Sequence, residues 1–370
     1  MILLTILVFI IILGLLVFVH ELGHFIMAKR AGMRVDEFGF GFPPRLFGIR
    51  RGETIYSINL IPLGGFVKIA GEDGSDVSDP KSFANKSGWR RFGVLVAGVS
   101  MNVILAWLLI SIGMMIGLPT LIDEGTQLPK SALVRQVSVG VLEVAASSPA
   151  ASGGFKPGDT IFKIGEMPIG SIQQAIDLTK AHAGQPTVYE IHRGAEVLRP
   201  TITPRANPPT GQGPLGIALG SLARVSYPWY ESIYRGLITT FNLIWATLMG
   251  FAGLIGSLLH GKSVGADLAG PVGIAVLTKS YTELGFIYLL QFTALLSVNL
   301  AIINAVPFPA LDGGRVLFLI IEKIRGRKMP IRAEQLVNTI GFALLLLLML
   351  FVTIHDFGKY DIIGKLRKLI

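Results

Sequence analysis

Long uncharged stretches alternate with polar segments along the chain, a pattern typical of helices that cross a membrane. The first stretch runs from Ile2 to Val19, and others cover Gly93 to Leu118, Ile287 to Val306 and Leu336 to Ile354. Each is near the ~20 residues that a helix needs to cross the hydrocarbon core. A fifth stretch, Leu237 to Leu259, is also uncharged but holds several threonines and glycines. Hydropathy alone leaves open whether it crosses.

A polar insert follows the second stretch, about Pro119 to Arg205, and its pattern predicts a β-rich domain. The turn Pro157-Gly158-Asp159 leads into an alternating strand, Ser171 to Ala181 fits a short helix, and Thr187 to Arg193 fits another strand. This order resembles a bacterial PDZ domain, a module that adds a peptide strand to its own sheet. A generic small β-rich domain is the alternative. The segment from Asn207 to Gly213 is expected to be a linker.

The loop after the first stretch predicts a β-hairpin. Thr54 to Leu60 and Phe66 to Ile69 flank Pro62-Leu63-Gly64-Gly65, so we expect the turn at Pro62 to Gly65. Such a hairpin beside a catalytic cleft could present its edge to an extended substrate. An ordinary surface hairpin is the alternative.

The composition excludes an ordinary soluble protein. Of the 370 residues, 51% are hydrophobic and 15% are charged, against about a quarter charged in soluble proteins. The net charge is +9, and the segment 29–91 alone holds eleven basic and seven acidic residues. Basic loops beside spans are typically cytoplasmic, which places the insert outside. Because no basic stretch is interleaved with aromatic residues, we expect no nucleic-acid partner.

The clearest chemistry lies in His20-Glu21-Leu22-Gly23-His24, at the end of the first apolar stretch. On a helix, His20 and His24 share one face. Two imidazoles so placed bind a metal ion, and Glu21 can accept a proton from the attacking water. Ionisable groups inside a span are costly and therefore indicate function, although this motif also occurs by chance on soluble helices. Because the chain has no cysteine, the ligands must be His, Asp or Glu, and we expect zinc.

A catalytic zinc site usually has three protein ligands, so a third must come from elsewhere. Asp312 follows the third span and precedes two glycines, while Pro307 and Pro309 break the helix before it. Irregular backbone at membrane depth is tolerated where it lines a protein cavity. We therefore predict Asp312 as the third ligand. A turn or capping aspartate, or a zincin with Glu from a later helix as ligand, is the alternative.

The third ligand must lie at the depth of the two histidines, and this requirement bears on the fifth stretch. Basic residues after the first span place His20 and His24 near the cytoplasmic side. If Leu237 to Leu259 crossed, Asp312 would lie at the opposite face, about 30 Å away. We therefore predict four spans, with this segment on the outer surface or packed on the bundle.

The two motifs resemble the site-2 protease family of intramembrane metalloproteases, in particular the bacterial branch that includes the regulator of sigma-E protease. H-E-x-x-H and the pattern N-x-x-P-x-P-x-L-D-G, from Asn304 to Gly313, carry the resemblance. It implies His20, His24 and Asp312 as zinc ligands and Glu21 as the catalytic base. The substrate contacts that it implies are Asn304, Asn299, Pro307, Pro309, Gly64 and Gly65. Enterobacterial relatives carry two tandem PDZ domains, whereas one is found here.

The expected fold is therefore a polytopic α-helical membrane protein of four spans with an inserted periplasmic PDZ-like β-rich domain. The expected segments are the first span at 1–28, a cytoplasmic loop with a membrane-associated β-hairpin at 29–92, the second span at 93–118, the PDZ-like domain and linker at 119–222, a membrane-surface helical segment at 223–284, the third span at 285–314 and the fourth span at 336–356.

The resemblance implies a zinc-dependent endopeptidase of the bacterial inner membrane, with its active site near the cytoplasmic side. Expected substrates are single-span membrane proteins already trimmed outside, such as anti-sigma factors and remnant signal peptides. Other expected partners are the lipid bilayer and peptide C-termini bound by the PDZ-like domain. A non-catalytic PDZ-bearing membrane scaffold is the alternative, and an intact Glu21 disfavours it because a scaffold needs no buried base.

Overall fold

A computed structural model describes residues 2–72, 78–122, 128–194, 196–261 and 269–360. The helices of this part of the chain are α1 (Ile2–Arg30), α2 (Gly88–Ile116), α3 (Pro149–Ser152), α4 (Ile172–Ala181), α5 (Trp229–Leu259), α6 (Pro271–Leu284), α7 (Phe286–Ala305), α8 (Asp312–Arg325) and α9 (Ile331–Lys359). Its strands are β1 (Val35–Arg51), β2 (Thr54–Ile69), β3 (Leu118–Leu121), β4 (Leu133–Val144), β5 (Thr160–Ile164), β6 (Met167–Pro168), β7 (Thr187–Arg193), β8 (Glu196–Leu198), β9 (Thr201–Ile202) and β10 (Ile217–Ser226).

The chain folds into two compact units. The first comprises Met1–Leu109, Leu237–Lys279 and Phe292–Ile370, and the second comprises Ile110–Gly236 and Ser280–Gln291. The first unit contains the predicted metal ligands, and the second contains the predicted β-rich insert.

Several long apolar helices confirm that this is a multispan membrane fold. By length and composition, α1, α2, α5, α7 and α9 are each able to cross a bilayer. Four of them match the predicted spans, and α5 contains the doubtful stretch. α2 and α9 each begin five residues before the predicted apolar stretch, because their polar first turns continue the helix beyond the hydrocarbon.

The end of α9 differs from the prediction. The predicted span ends at residue 356, but α9 continues to Lys359, and the Asp356 side chain is fully buried. Its carboxylate accepts a hydrogen bond from the Gly273 backbone N–H of α6, at 2.7 Å. Gly270 and Gly273 leave room for this contact, since a Cβ on either would come within 3.2 Å of the Asp356 carboxylate. The C-terminal helix is thus tied to the start of α6.

The sheet of the first unit corrects the predicted hairpin. Its tight turn is Gly52-Glu53, between β1 and β2, not Pro62 to Gly65. The two halves of β2 do not pair with each other, because residues 37–40 of β1 lie between them. Phe38, for example, pairs with Tyr56 on one side and with Val67 on the other. Gly52, at φ +62°, supplies the left-handed turn conformation. Residues 65–69 therefore form an edge of this sheet.

Aromatic side chains pack the sheet on α1, the helix that carries His20 and His24. Phe25 of α1 stacks on Phe38 with ring centroids 4.8 Å apart, and Phe18 packs against Phe38 and Phe40. Below them, a buried cluster joins the end of α1, both strands and the start of α2. Its members are Ala28, Met33, Val35, Ile69, Phe83, Val94 and Leu95. Apolar burial thus holds the edge strand beside His20 and His24.

The second unit is built on eight described strands in the order β3-β10-β4-β5-β7-β8, with β6 paired to β5 and β9 to β7. α4 lies where a short helix was predicted, and Ile161, Ile164 and Tyr189 fill the core. The segment from Asn207 to Gly213 is a loop within this unit and not a linker, because β10 rejoins the sheet beside β4. The predicted insert and the strand after it are therefore one fold.

Candidate metal centre

Three side chains from distant parts of the chain meet in the first unit. The Nε2 atoms of His20 and His24 lie 3.0 and 3.2 Å from Asp312 Oδ2, and 3.2 Å from each other. Both histidines are buried, with 6% and 7% of their surface exposed. Within the described residues, the ligand atoms of these three side chains lie close enough together to hold one metal ion.

The triangle fits a tetrahedral zinc ion. Ligand atoms about 2.0–2.1 Å from zinc lie about 3.3 Å from one another at the tetrahedral angle. The three distances of 3.0 to 3.2 Å are close to this value. Asp312 Oδ2 is buried and makes no hydrogen bond within the described part of the chain. A bound cation would balance its buried negative charge. Two imidazoles and a carboxylate are ligands that zinc accepts.

Two glycines bring α2 close enough to α1 to enclose the histidines. A Cβ on Gly23 would come 2.4 Å from the Ala97 carbonyl oxygen, and a Cβ on Gly98 would come 2.3 Å from His24 Nε2. Any side chain at Gly98 would therefore enter the space between the metal-facing nitrogens. Gly98 could not be recognised from the sequence, because its role depends on where the two helices cross.

Both imidazoles are oriented through their second nitrogen. His24 Nδ1 lies 2.8 Å from the Val94 carbonyl oxygen, to which it donates. His20 Nδ1 lies 3.2 Å from Asn102 Nδ2, and the buried Oδ1 of Asn102 has no partner among the described residues. With the amide turned over, His20 Nδ1–H would donate to that oxygen. Such bonds direct Nε2 at a metal. From the sequence alone, Asn102 is only a polar residue within the second apolar stretch.

Close backbone packing places Asp312. It is the first residue of α8, after the chain turns through Pro307 and Pro309. A Cβ on Gly313 would come 2.3 Å from the Val306 carbonyl oxygen, and one on Gly314 would come 2.2 Å from that of Phe308. The two glycines let α8 start directly against the end of α7, as the prediction for Asp312 required.

Glu21 lies between the predicted metal ligands and the edge strand. Its Oε2 accepts a hydrogen bond from the Val67 backbone N–H at 3.1 Å, and its charge interacts with His20, His24 and Asp312. The carboxylate is thus held beside the triangle, where a proton acceptor for hydrolysis is needed.

The residues expected to contact substrate are only partly brought together. A Cβ on Gly64 would come 2.9 Å from Val17, and one on Gly65 would come 3.9 Å from Glu21 Cγ. Asn299 lines an apolar cavity of about 870 Å³ with Leu16 and Val17. Asn304 is half-buried in the last turn of α7, and Pro307 is exposed. Pro309 packs on Gly341 of α9. Their role in substrate binding stays a prediction.

Known proteins are similar to this chain in sequence. The model of the family described as Peptidase family M50 matches residues 8–348, a range that includes both motifs. Zinc metalloprotease RasP of Geobacillus kaustophilus is 31% identical, over 96% of this chain and 98% of its own length. Regulator of sigma-W protease RasP of Bacillus subtilis is 30% identical, also over 96% of this chain and 98% of its own length. The similarity therefore extends along nearly the whole chain.

Proposed function

The chain belongs to peptidase family M50, as the resemblance of its two motifs indicated, and on that premise we propose that it is a zinc-dependent intramembrane endopeptidase. The observation that carries this proposal is the buried triangle of His20, His24 and Asp312. It combines three ligands suited to zinc with a neighbouring carboxylate, Glu21, inside a set of apolar helices. A scaffold without catalysis would need neither the enclosed ligands nor the carboxylate.

The chain's own groups divide the work of peptide hydrolysis. His20, His24 and Asp312 would hold the metal. Zinc, when bound, supplies a Lewis acid that acidifies a water ligand and polarises the scissile carbonyl. Glu21 accepts the proton of the attacking water and delivers it to the leaving amine. The hydrogen bond from Val67 N–H to Glu21 Oε2 keeps this carboxylate in place.

The edge formed by residues 65–69 is suited to hold an extended substrate. A helical substrate has its carbonyl groups hydrogen-bonded, so it must unwind before hydrolysis. The outer side of this edge faces Glu21, as the Val67 N–H shows. A substrate strand that pairs with this edge would bring its peptide bonds to the triangle. Gly64 and Gly65 let the start of this edge lie directly against α1, since a Cβ on Gly64 would come 2.9 Å from Val17.

We propose that four helices cross the bilayer and that α5 packs on the bundle without crossing it. Gly250 of α5 lines the cavity that Val17 and Asn299 also line. Gly341 of α9 lies against Pro309, next to the site, whereas Asp356 binds Gly273 at the start of α6. These two points of α9 are about 22 Å apart along its axis, so α6 starts far from the site. If α5 crossed, the chain would have to return between Leu259 and Pro271. That segment is too short for a spanning helix, and extended backbone in lipid would be unpaired.

We propose that the second unit is a periplasmic PDZ-like module that binds peptide C-termini. β4 pairs with β10 from Ile217 onward, whereas β3 pairs only with residues 222–225 of β10. The first half of β10 therefore has a side with no strand partner among the described residues. Ile217 and Leu219 contribute to the apolar core that also takes in Ile172 and Leu178 of α4. An extended peptide could join β10 there by strand addition.

The substrates that we propose are single-span membrane proteins already trimmed outside, including anti-sigma factors and remnant signal peptides. The Bacillus subtilis relative is named a regulator of sigma-W protease, which supports a membrane-bound regulator as substrate. The enzyme would act in the inner membrane of a bacterium, with its site towards the cytoplasm.

Cleavage of a tagged single-span substrate, trimmed on its outer side, tests this function in detergent. We expect wild type to cut within the apolar segment and Glu21→Gln to be slower by about 10²–10⁴-fold, because the general base is lost. Both proteins should contain about one zinc. Glu53→Gln, on an exposed carboxylate, serves as the control and should cleave normally. Equal cleavage by wild type and Glu21→Gln, or zinc without cleavage in any variant, would contradict the proposal.

A further inference from the structure

The loop before Asp312 holds a residue in an unusual backbone conformation. Ala310 has φ +72°, in the left-handed region that residues with a Cβ rarely adopt. It lies two residues before Asp312, so its backbone angles set the direction in which the chain enters α8. A conformation that alanine does not favour by itself must be held by its neighbours.

Helix α9 supplies two contacts that hold this loop. Asn338 Oδ1 accepts a hydrogen bond from the Ala310 backbone N–H at 3.1 Å. Gly341, one turn further on the same face, is buried against Pro309, and a Cβ there would come 2.7 Å from the Pro309 carbonyl oxygen. Neighbouring side chains on other faces are exposed, Leu336 at 61% and Ile340 at 51%. An amide on an apolar helix is therefore directed at the loop that ends in Asp312.

We propose that Asn338 is a positioning residue for the metal ligand Asp312. It does not touch the metal or the substrate; it holds Ala310 in the left-handed conformation and thereby keeps the carboxylate at the two imidazoles. Gly341 assists by letting α9 approach Pro309. This inference rests on the proposed function, since it assumes that the triangle of His20, His24 and Asp312 holds zinc.

Zinc affinity of the metal-free protein, measured in detergent by competition with a chromophoric chelator, tests this role without cleavage. Asn338→Leu has a similar size but no acceptor, and we expect it to weaken zinc binding by about 10–100-fold, as for other residues that orient metal ligands. Asn338→Asp keeps an acceptor oxygen and should bind nearly as tightly as wild type. Thr339→Ala serves as the neighbouring control, because the Thr339 hydroxyl bonds within its own helix, to the Gln335 carbonyl oxygen.

A second substitution separates positioning from a general loss of packing. Glycine adopts a positive φ without the steric cost of a Cβ, so Ala310→Gly alone should bind zinc like wild type. Combined with Asn338→Leu, it should restore most of the lost affinity. Wild-type affinity in Asn338→Leu, or no recovery in the double variant, would overturn the proposal. A failed cleavage assay with normal zinc binding would instead contradict only the protease function, whereas wild type that binds no zinc would contradict both.

Discussion

Glycines around the candidate metal centre matter because they have no side chain. Gly98 is the clearest case, because the space that its missing side chain leaves is occupied by the His24 imidazole. Asn102 and the Val94 carbonyl then orient the two rings from the same helix. α2 therefore contributes to the site through its shape, the Val94 carbonyl and the Asn102 side chain, while α1 and α8 contribute the predicted ligands.

Gly98→Ala should abolish metal binding while the helix remains intact. Alanine is a better helix former than glycine by about 1 kcal/mol, so a loss cannot come from helix propensity. The added methyl group would meet His24 Nε2, and we expect zinc affinity and cleavage to fall at least ~100-fold. Metal analysis after purification and the cleavage assay measure both effects.

Gly93→Ala is the matched control on the same helix. Its Cβ would lie 3.5 Å from the flexible end of Met27, an ordinary contact. It should keep its metal and its activity, and equal behaviour of the two variants would show that Gly98 does not matter to the site.

The chemistry of the site could be predicted at this scale, whereas its supports could not. The helical spacing of His20 and His24, with Glu21 between them, predicts a metal site from the sequence alone. Asp312 lies in a second motif, whose prolines and glycines predict a break in the helix. Gly98, Val94 and Asn338 act through contacts between helices that lie far apart in the chain. No local pattern distinguishes them from other residues of a span.

Among the elements, α8 links the metal ligand to the edge of the sheet. Arg315, one turn after Asp312, forms an ion pair with Glu72, which follows the edge strand by three residues. Glu322 at the other end of α8 pairs with Arg91 of α2 at 2.8 Å. A shift of the edge strand would therefore move α8, and with it the carboxylate of Asp312.

Reversal of the Arg315–Glu72 pair tests this link. Glu72→Arg or Arg315→Glu alone places like charges together, and we expect kcat to fall about tenfold, since a partly buried charge pair couples by roughly 1–2 kcal/mol. The double variant restores opposite charges and should recover most of the loss.

Glu53→Ala, in the turn between β1 and β2, removes an exposed ion pair with Lys81 and should have little effect. Steady-state kinetics on one substrate compares the variants. An additive loss in the double variant would mean that the pair does not couple the strand to the helix.

The hairpin shows where element prediction fails. Pro62 to Gly65 is a strong turn signal, and alternation on both sides predicted two paired strands. In the fold, the real turn at Gly52-Glu53 carries a weaker signal, and residues 37–40 insert between the two halves of β2. Strand existence was predictable from alternation, but strand order depends on which segments pack on α1.

For the whole molecule, membrane topology decides whether the two motifs can meet. By length and hydropathy, five described helices are able to cross the bilayer, but the requirement that Asp312 reach His20 and His24 favours four. This requirement follows from the three ligands that a catalytic zinc site needs. It therefore bears on whether α5 crosses even though α5 is long and apolar enough to do so. The contacts of α9 at Gly341 and Asp356 support the same proposal.

Single cysteines placed at both ends of α5 test this topology, and the cysteine-free chain gives no background labelling. We expect Tyr230→Cys and His260→Cys to react with an impermeant thiol reagent added to intact spheroplasts. Arg327→Cys, in the predicted cytoplasmic loop, should react only after the membrane is opened. Protection of His260→Cys until that point would mean that α5 crosses and that the four-span topology is wrong.

The separation of the ligands along the chain also bears on how the enzyme is made. The two histidines enter the membrane with the first helix, about 290 residues before Asp312. Closing so long a loop requires the intervening helices to be inserted and packed. A growing chain therefore carries an incomplete and inactive centre until most of it has been translated. Neighbouring membrane proteins would therefore meet a complete protease only after Asp312 has been added to the chain.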